Sequence, residues 1–347
     1  MSRSRDVAQI LGKTDAANVD NHALLNSSSG VDSAEVVTLV TAHSSNVDSA
    51  DIQIISAPLT NRNLIINGAM NVAQRGTSQT ASSYGSLDRF LYNHSGGAGT
   101  MSQQTLALGS EQRGSKHFLR IACSTGNDNH GFLHRIEDVR SVSTGIHTLS
   151  FDAKGTNPNG GTFTIKINQD FGSGGSPSAD VTLALQTFTV TSSFQTFDFE
   201  FDIPSLSGKT LGSDNNNYLQ IMISQGADAS TNAWTLDITN IQFEKGRTAT
   251  PFENEDFGTT LKKCERYYQN YVTNKLYFNG TNEPSSEVGN SRVLPTQMRS
   301  LPAVGNKSST HGSAGGFSAN AQSIRYLTVS SHGTGGFNVG FDLDAEL

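Results

Sequence analysis

Apolar and polar residues alternate along most of the chain from residue 61 to about residue 257. This two-residue period predicts half-buried antiparallel strands, because successive side chains of a strand point to opposite faces. In the run 194–201, Phe197, Phe199 and Phe201 share one face and polar residues share the other. Predicted strands lie at 63–66, 117–123, 131–136, 147–153, 162–168, 180–190, 196–203, 218–224 and 234–243. Clusters of Gly, Asn and Ser separate them, which is typical of an antiparallel β-sandwich or jelly roll.

A helical pattern begins near residue 258. Thr260 can cap a helix over 261–271 with one apolar stripe, formed by Leu261, Cys264, Tyr268 and Tyr271. Further strand-like runs lie at 275–278, 293–298, 324–329 and 338–343, with glycine-rich connections between them. We therefore predict a small C-terminal domain of helix plus sheet over 258–347, after a sandwich over 61–257.

The first sixty residues are too polar to build a core of their own. A short helix over 5–11 would place Val7, Ile10 and Leu11 on one side, and a helix from residue 33 would align Val36 with Val40. An extended strand over 35–41 is the alternative for the second stretch, because that run is β-branched. We predict that segment 1–60 is a partly helical anchor that gains its stability from contact with other chains.

Charge and composition narrow the classes of partner. The net charge of -7 divides into -4 for 1–60, -5 for 61–257 and +2 for 258–347. No segment carries the dense Lys/Arg stripe of a nucleic-acid-binding surface, so nucleic acid is not an expected partner. No run approaches the roughly 18 apolar residues of a membrane span, so membrane insertion is not expected. Cys123 and Cys264 lack metal-ligand spacing and are expected to be buried thiols in a reducing compartment.

The chain contains none of the local motifs that mark a catalytic, phosphate-binding or dinucleotide-binding site. His130 and His134 are interpreted as surface or loop residues rather than ligands, and Trp234 as a core residue rather than a sugar-stacking one. The acidic pair at 137–138 and that at 255–256 cannot span a sugar cleft by adjacency alone. We therefore expect no catalytic residue, no metal and no cofactor.

Three further stretches carry a family resemblance. They are NLIINGAMNVAQRGT at 63–77 with LDRF at 87–90, TNIQFEKG at 239–246 with TPF at 250–252, and KCERYY at 263–268 followed by LPTQMR at 294–299 and Pro302. In this order they resemble the jelly-roll segment of bacteriophage tail-fibre and related virion proteins. The motif residues carried over as structural are Asn67, Gly68, Arg75, Asp88, Arg89, Glu244, Gly246, Cys264, Arg266, Tyr267 and Tyr268. MSRSRD at 1–6 with LGK at 11–13, the repeated VDSA at 31–34 and 47–50, and DAEL at 344–347 resemble virion proteins of marine cyanobacterial phages.

The same segment also resembles jelly-roll carbohydrate-binding modules, in which an opening turn and the last strand lie near a structural calcium. The matching positions here are the turn at 67–70 and Thr239 with Asn240. Two hard oxygen ligands of that pattern are missing, which leaves too few anionic donors for calcium. The resemblance therefore implies the fold and not the metal.

The resemblance implies a homotrimeric fibre in the virion, assembled in the host cytoplasm. It places other virion proteins at the N-terminus, where Val7, Ile10, Leu11, Val36 and Val40 would form the trimer and its anchor. A host surface glycan or protein would meet the C-terminal domain, where glycine-rich loops could present Phe317, Phe337, His311 and His332. A core position for each phenylalanine is the alternative. The function expected is adsorption by a tail fibre; the alternatives are a head fibre or capsid decoration protein and a polysaccharide depolymerase.

Overall fold

A computed structural model shows the architecture of the chain. By contacts the chain divides into two units, Met1–Pro58 and Leu59–Leu347. The structure describes residues 61–96, 98–125, 130–157, 162–225, 233–272, 276–280, 288–310, 317–321, 326–331 and 335–347. The predicted anchor residues Val7, Ile10, Leu11, Val36 and Val40, together with His311 and His332, lie outside the described residues.

Twelve strands build the sandwich in the middle of the chain. They are β1 (Ser78–Gln79), β2 (Phe90–His94), β3 (Ala98–Thr105), β4 (His117–Thr125), β5 (His130–Glu137), β6 (Gly145–Thr156), β7 (Phe163–Asp170), β8 (Val181–Thr182), β9 (Gln186–Phe188), β10 (Gln195–Ile203), β11 (Tyr218–Gln225) and β12 (Trp234–Lys245). A single turn of 3-10 helix, Val139–Ser141, follows β5.

These strands form two antiparallel sheets packed face to face. The first sheet has the order β1-β3-β4-β12-β6-β10, and the second has the order β2-β5-β11-β7-β8, with β9 also paired to β7. Strand β7 shows why they fold this way, since its buried and half-buried side chains alternate along its whole length. The buried set of each sheet meets in one hydrophobic core, which includes Trp234 and Phe163. The predicted antiparallel jelly-roll sandwich is thus confirmed.

Most predicted strands occur within a few residues of their expected bounds, but two predictions needed correction. The run 180–190 forms two short strands, β8 and β9, instead of one. Residues 63–66 form no strand, although the Leu64 N–H donates to the Phe243 carbonyl at 2.9 Å. The Asn63 side chain accepts from the Ile65 N–H at 2.9 Å and turns the chain before a ladder can develop.

The C-terminal part consists of one described helix and seven strands. They are α1 (Phe257–Glu265), β13 (Tyr268–Asn270), β14 (Leu276–Gly280), β15 (Val288–Val293), β16 (Ala303–Thr310), β17 (Phe317–Ala321), β18 (Tyr326–Ser331) and β19 (Gly335–Asp344). Strand β19 pairs with β13, β14 and β16, and β18 pairs with β15 and β17. Within the described ranges, no helix is long and apolar enough to cross a membrane.

The helix prediction was wrong at both ends. Asp256 is the N-cap instead of Thr260, since its carboxylate accepts from the Thr259 N–H at 3.0 Å. The helix ends at Glu265, because Tyr268 begins strand β13 and pairs with Asp344 of β19. Of the proposed stripe, Cys264 and Tyr268 are buried, while Leu261 and Tyr271 are only half-buried. Pairing in a sheet has overridden local helical periodicity.

Three other expectations are corrected by the structure. The predicted strand 293–298 is misplaced, because β15 ends at Val293. Phe317 and Phe337 lie in β17 and β19, with Phe337 opposite Phe278, so neither is at the tip of a loop. The remaining error concerns His130 and His134, which are buried in strand β5 instead of lying on the surface.

Candidate functional site

The outward side of the second sheet is the candidate functional site. Along β11 the residues Leu219, Ile221 and Ile223 fill the core, so the intervening side chains point away from it. The register of β5 and β7 brings their outward residues beside these. We define the open face as Arg135, Lys166, Asn168, Tyr218, Gln220 and Met222, all of which are half-buried.

A polar row crosses the open face at right angles to the strands. Arg135, Gln220 and Asn168 lie opposite one another on β5, β11 and β7, and Thr182 of β8 follows Asn168. The Gln220 side-chain oxygen accepts from Arg135 Nε at 3.2 Å, and the Asn168 oxygen accepts from the Thr182 hydroxyl at 2.9 Å. Both amide NH2 groups therefore lack an acceptor among the described residues. They are donors available to a ligand.

A mixed row lies beside the polar row, two residues further along each strand. Met222 is opposite Leu133 on one side and Lys166 on the other. The first two side chains are apolar, and the stem of a lysine is apolar below its ammonium group. This part of the face can therefore contact carbon-bound hydrogens of a ligand while the ammonium group donates to an oxygen.

The end of the open face near Tyr218 is polar and acidic. Tyr218 is opposite Glu137 and Asp170, and the Arg135 guanidinium lies 4.6 Å from its ring centroid. Burial raises the pKa of Tyr218 to about 12; the Arg135 charge opposes this shift, while the hydrogen bond and charge of Asp170 add to it. The Asp170 carboxylate accepts from the Gly172 N–H at 2.8 Å. Tyr218 is therefore a neutral, fixed ring at physiological pH.

The outward side of the first sheet is different because its charges satisfy one another. Asp237 is buried and accepts from Arg120 Nε and Nη2 at 2.6 and 2.7 Å. Asp152 is also buried and accepts from Arg113 Nε at 2.8 Å and from the Thr196 hydroxyl at 2.7 Å. Paired in this way, these groups have little capacity left for a ligand.

Seven residues form a second polar cluster, which we call the junction, between the sandwich and the C-terminal part: Arg75, Asp88, Arg89, Tyr267, Tyr268, Asp344 and Glu346. Arg89 is fully buried, and its guanidinium carbon lies 3.5 Å from the Tyr267 ring centroid. Its Nη1 forms an ion pair with Glu346, and its Nη2 donates to the Arg135 carbonyl at 2.6 Å. A residue from the LDRF motif thus binds both the second sheet and the C-terminal part.

Arg75 repeats the arrangement of Arg89 on the neighbouring tyrosine. Its guanidinium carbon lies 3.6 Å from the Tyr268 ring centroid, and it forms ion pairs with Asp344 at 3.0 Å and Glu346 at 3.3 Å. Asp88 accepts from the Gln74 N–H at 2.7 Å and from its side-chain amide at 2.6 Å. Burial nevertheless raises the pKa of Asp88 to about 6.

The other motif residues also have structural contacts. The Asn67 side chain bonds Val72 N and O at 2.9 Å each. A Cβ on Gly68 would lie 2.1 Å from the Ile241 carbonyl oxygen, and Gly246 has a φ of 125°. Glu244 accepts from the Thr250 hydroxyl at 2.6 Å, and Arg266 forms an ion pair with Glu137 at 2.8 Å. The Cys264 thiol is buried. The quoted motifs therefore locate turns and packing between elements, and the open face carries none of them.

The region matched to the calcium site of sugar-binding modules is closed by protein groups. Asn240 Oδ1 accepts from the Ser115 hydroxyl, and its amide donates to Asp152 at 2.6 Å. Glu253 accepts from the N–H groups of Arg62 and Asn63 at 3.0 Å each. Among the described residues, no group of three or more His, Cys, Asp or Glu side chains is placed to hold a metal ion.

Sequence reasoning missed the open face, because its members are ordinary polar positions of three separate strands. The available signal was the side-chain parity of 218–224: the residues between its three core positions are Gln220 and Met222, flanked by Tyr218. That parity could have identified the outward residues of this one strand. The neighbours on β5 and β7 depend on pairing, which parity does not supply.

Comparison with known proteins finds distant structural similarity only. No protein family model matches the chain, and no curated protein matches it. The enzymatically active domain of tailspike protein 4 of bacteriophage CBA120 is 13% identical, with 53% of this chain and 21% of that chain covered at a TM-score of 0.34. TmCBM61 in complex with β-1,4-galactotriose is 9% identical. The match covers 53% of this chain and 99% of that chain, with a TM-score of 0.32. The family 11 carbohydrate-binding module of Clostridium thermocellum is 13% identical. The match covers 50% of this chain and 98% of that chain, with a TM-score of 0.31.

The chain spans about a fifth of the length of the tailspike domain. At these TM-scores the similarities do not indicate a function.

Proposed function

We propose that this protein is a non-enzymatic subunit of a phage virion fibre and that its open face binds a glycan of the host surface. The observation that carries the glycan assignment is the pair of amide NH2 groups, on Gln220 and Asn168, that have no acceptor among the described residues and lie on a half-buried sheet face. A sugar chain offers many hydroxyl acceptors on a ring that also has apolar patches. Fixed donors beside Tyr218 and Met222 match both properties.

The fibre assignment is supported by the ordered motifs and by the polar N-terminal segment. In this proposal segment 1–60 joins the particle and holds three copies together, while the sandwich faces the host. Three weak sites on one fibre, repeated over several fibres, give tight attachment of the particle even when each site binds weakly. Light scattering is expected to give about three times the 37.0 kDa chain mass. A monomer at micromolar concentration would contradict the trimer.

A depolymerase would need a carboxylic acid of raised pKa facing a second carboxylate across the sugar. Glu137 and Asp170 flank Tyr218 on the open face, on strands about 10 Å apart. Burial opposes the ionisation of Glu137, but hydrogen bonds from Arg266 and Tyr267 outweigh it and lower its pKa. A carboxylate of lowered pKa is a poor general acid. The arrangement therefore favours binding over hydrolysis.

The test compares substitutions on the outward sides of the two sheets in the full-length protein. Gln220→Ala combined with Asn168→Ala should abolish binding to the glycans that the wild type binds on a bacterial polysaccharide array. Gln104→Ala, a half-buried glutamine on the first sheet, should have no effect. An excess of wild type, but not of the double variant, should slow adsorption of intact particles.

Two results would overturn parts of this proposal. If the double variant slows adsorption of intact particles as well as wild type does, host contact does not use the open face. That result would favour the sequence-based prediction of host contact in 258–347. If new reducing ends appear when the protein is incubated with host polysaccharide, the depolymerase alternative holds.

A further inference from the structure

We infer that the segment 344–347 positions Arg135 in the open face, so that glycan binding depends on docking of the C-terminal part at the junction. The inference rests on the proposed function for the identity of the ligand, but its geometric part can be tested without a ligand. It concerns residues that are more than 200 positions apart in sequence and touch in the fold.

The first contact is made by the Arg135 side chain. Its Nη1 donates to the Leu347 carbonyl oxygen, and its Nε donates to the Gln220 side-chain oxygen at 3.2 Å. The guanidinium also lies 4.6 Å from the Tyr218 ring centroid. Two of these three contacts belong to the open face and one belongs to the C-terminal segment. The segment therefore holds the guanidinium against the proposed binding surface.

The second contact is made by the Arg135 backbone. Its carbonyl oxygen accepts from Arg89 Nη2 at 2.6 Å, and Arg89 is held in turn by its ion pair with Glu346. The backbone of Glu346 is held in turn, because its N–H donates to the Asp344 carboxylate at 3.0 Å. The same four-residue segment therefore positions both the backbone and the side chain of Arg135.

This double restraint has a measurable effect on binding. A free arginine side chain samples many rotamers, and a ligand that uses it must immobilise it. Positioning in advance removes that cost, and immobilising one long side chain corresponds to about a three- to tenfold change in affinity. In addition, Arg135 orients Gln220, since the bond from Nε leaves the amide NH2 of Gln220 directed toward a ligand.

The geometric part is tested by NMR relaxation of arginine Nε groups in the full-length protein. Glu346→Gln should increase the mobility of the Arg135 Nε–H group on the picosecond to nanosecond timescale. Asp342→Asn is the matched control: Asp342 is a buried carboxylate of β19 that accepts from the Tyr268 hydroxyl at 2.9 Å and from Asn306 at 2.6 Å. The control should leave Arg135 as ordered as in wild type. Equal order in Glu346→Gln and wild type would overturn the inference.

The functional part is tested by a double-mutant cycle with a stated probe panel: cellotetraose, xylotetraose and an alginate tetramer, each measured by titration calorimetry. Glu346→Gln should weaken binding about three- to tenfold in the wild-type background and should have no effect in the Arg135→Ala background. Additive losses would overturn the coupling. If wild type binds no member of the panel or of the polysaccharide array, the proposed function fails, while the NMR result still decides whether the segment positions Arg135.

Discussion

Replacing Arg89 by methionine tests whether the junction stabilises the fold. The substitution removes a fully buried guanidinium and leaves the Glu346 carboxylate, whose side chain is 6% exposed, with Arg75 as its remaining ion-pair partner. Breaking a buried pair costs about 3 to 5 kcal/mol, because one charge stays desolvated. The Arg135 carbonyl also loses its donor, and the contact with the Tyr267 ring is lost. Since Arg75 still neutralises part of the carboxylate, we expect a loss of about 3 kcal/mol in the free energy of unfolding.

Urea unfolding followed by the fluorescence of the single buried tryptophan measures this loss. The control is the double variant Arg89→Met with Glu346→Leu, which leaves no unpaired buried charge at this position. Because paired apolar replacements of a buried ion pair are often near neutral, the double variant should be more stable than the single one. A loss below 1 kcal/mol in the single variant would refute the reasoning. Equal stability of the single and double variants would also refute it.

Three further predictions concern Cys264, His134 and Gly155. Cys264→Asp should lower the free energy of unfolding by about 3 kcal/mol, and Cys264→Ser should lower it less. The native thiol should react slowly with a thiol reagent, because burial raises the pKa of Cys264. A fast reaction would contradict this packing. Burial, and then a nearby guanidinium, hold the pKa of His134 well below 6.5. Only the unfolded chain then takes up this proton below about pH 6.5, so the free energy of unfolding should fall with falling pH by up to about 1.4 kcal/mol per pH unit. It should fall less steeply in His134→Phe, and the same pH dependence in both proteins would refute this prediction. Gly155→Ala should destabilise by more than about 2 kcal/mol in urea unfolding, because its φ is 149° and its Cβ would lie 2.1 Å from the Thr235 carbonyl oxygen. The control Gly145→Ala, with a φ of 103° and open space around it, should cost only about 1 kcal/mol.

The motif residues show how a family pattern can be informative about structure without marking a binding site. Arg75 and Arg89 follow turns of the sandwich, whereas Tyr267 and Tyr268 follow the helix, far away in the sequence. In the fold each arginine lies over one tyrosine ring. Their common role is to join two parts of the chain, and this role accounts for their type: a guanidinium can stack on a ring and bind a carboxylate at the same time.

The sequence by itself predicted most strands of the sandwich from β4 onward, but none of β1, β2 and β3. The two-residue period is a local property, and it assigned Phe201 and Trp234 to the core correctly. It failed where a local signal competed with pairing. The stripe through Tyr268 and Tyr271 has helical spacing, yet Tyr268 lies in a strand because β19 provides a partner for its backbone. Likewise, glycine-rich flanks suggested that Phe337 is at a loop tip, although it pairs with Phe278.

Only the tertiary structure decided the candidate site. Arg135, Gln220 and Asn168 come from three strands, and nothing local in the sequence places them in one row. The connection from Glu346 through Arg89 to Arg135 likewise exists only after the C-terminal part has docked. The physical reason is that periodicity reports which face of a strand is buried, whereas strand order and register depend on long-range pairing of the backbone. The function of an outward face depends on that pairing, since it determines which polar groups are neighbours and which of them remain unsatisfied.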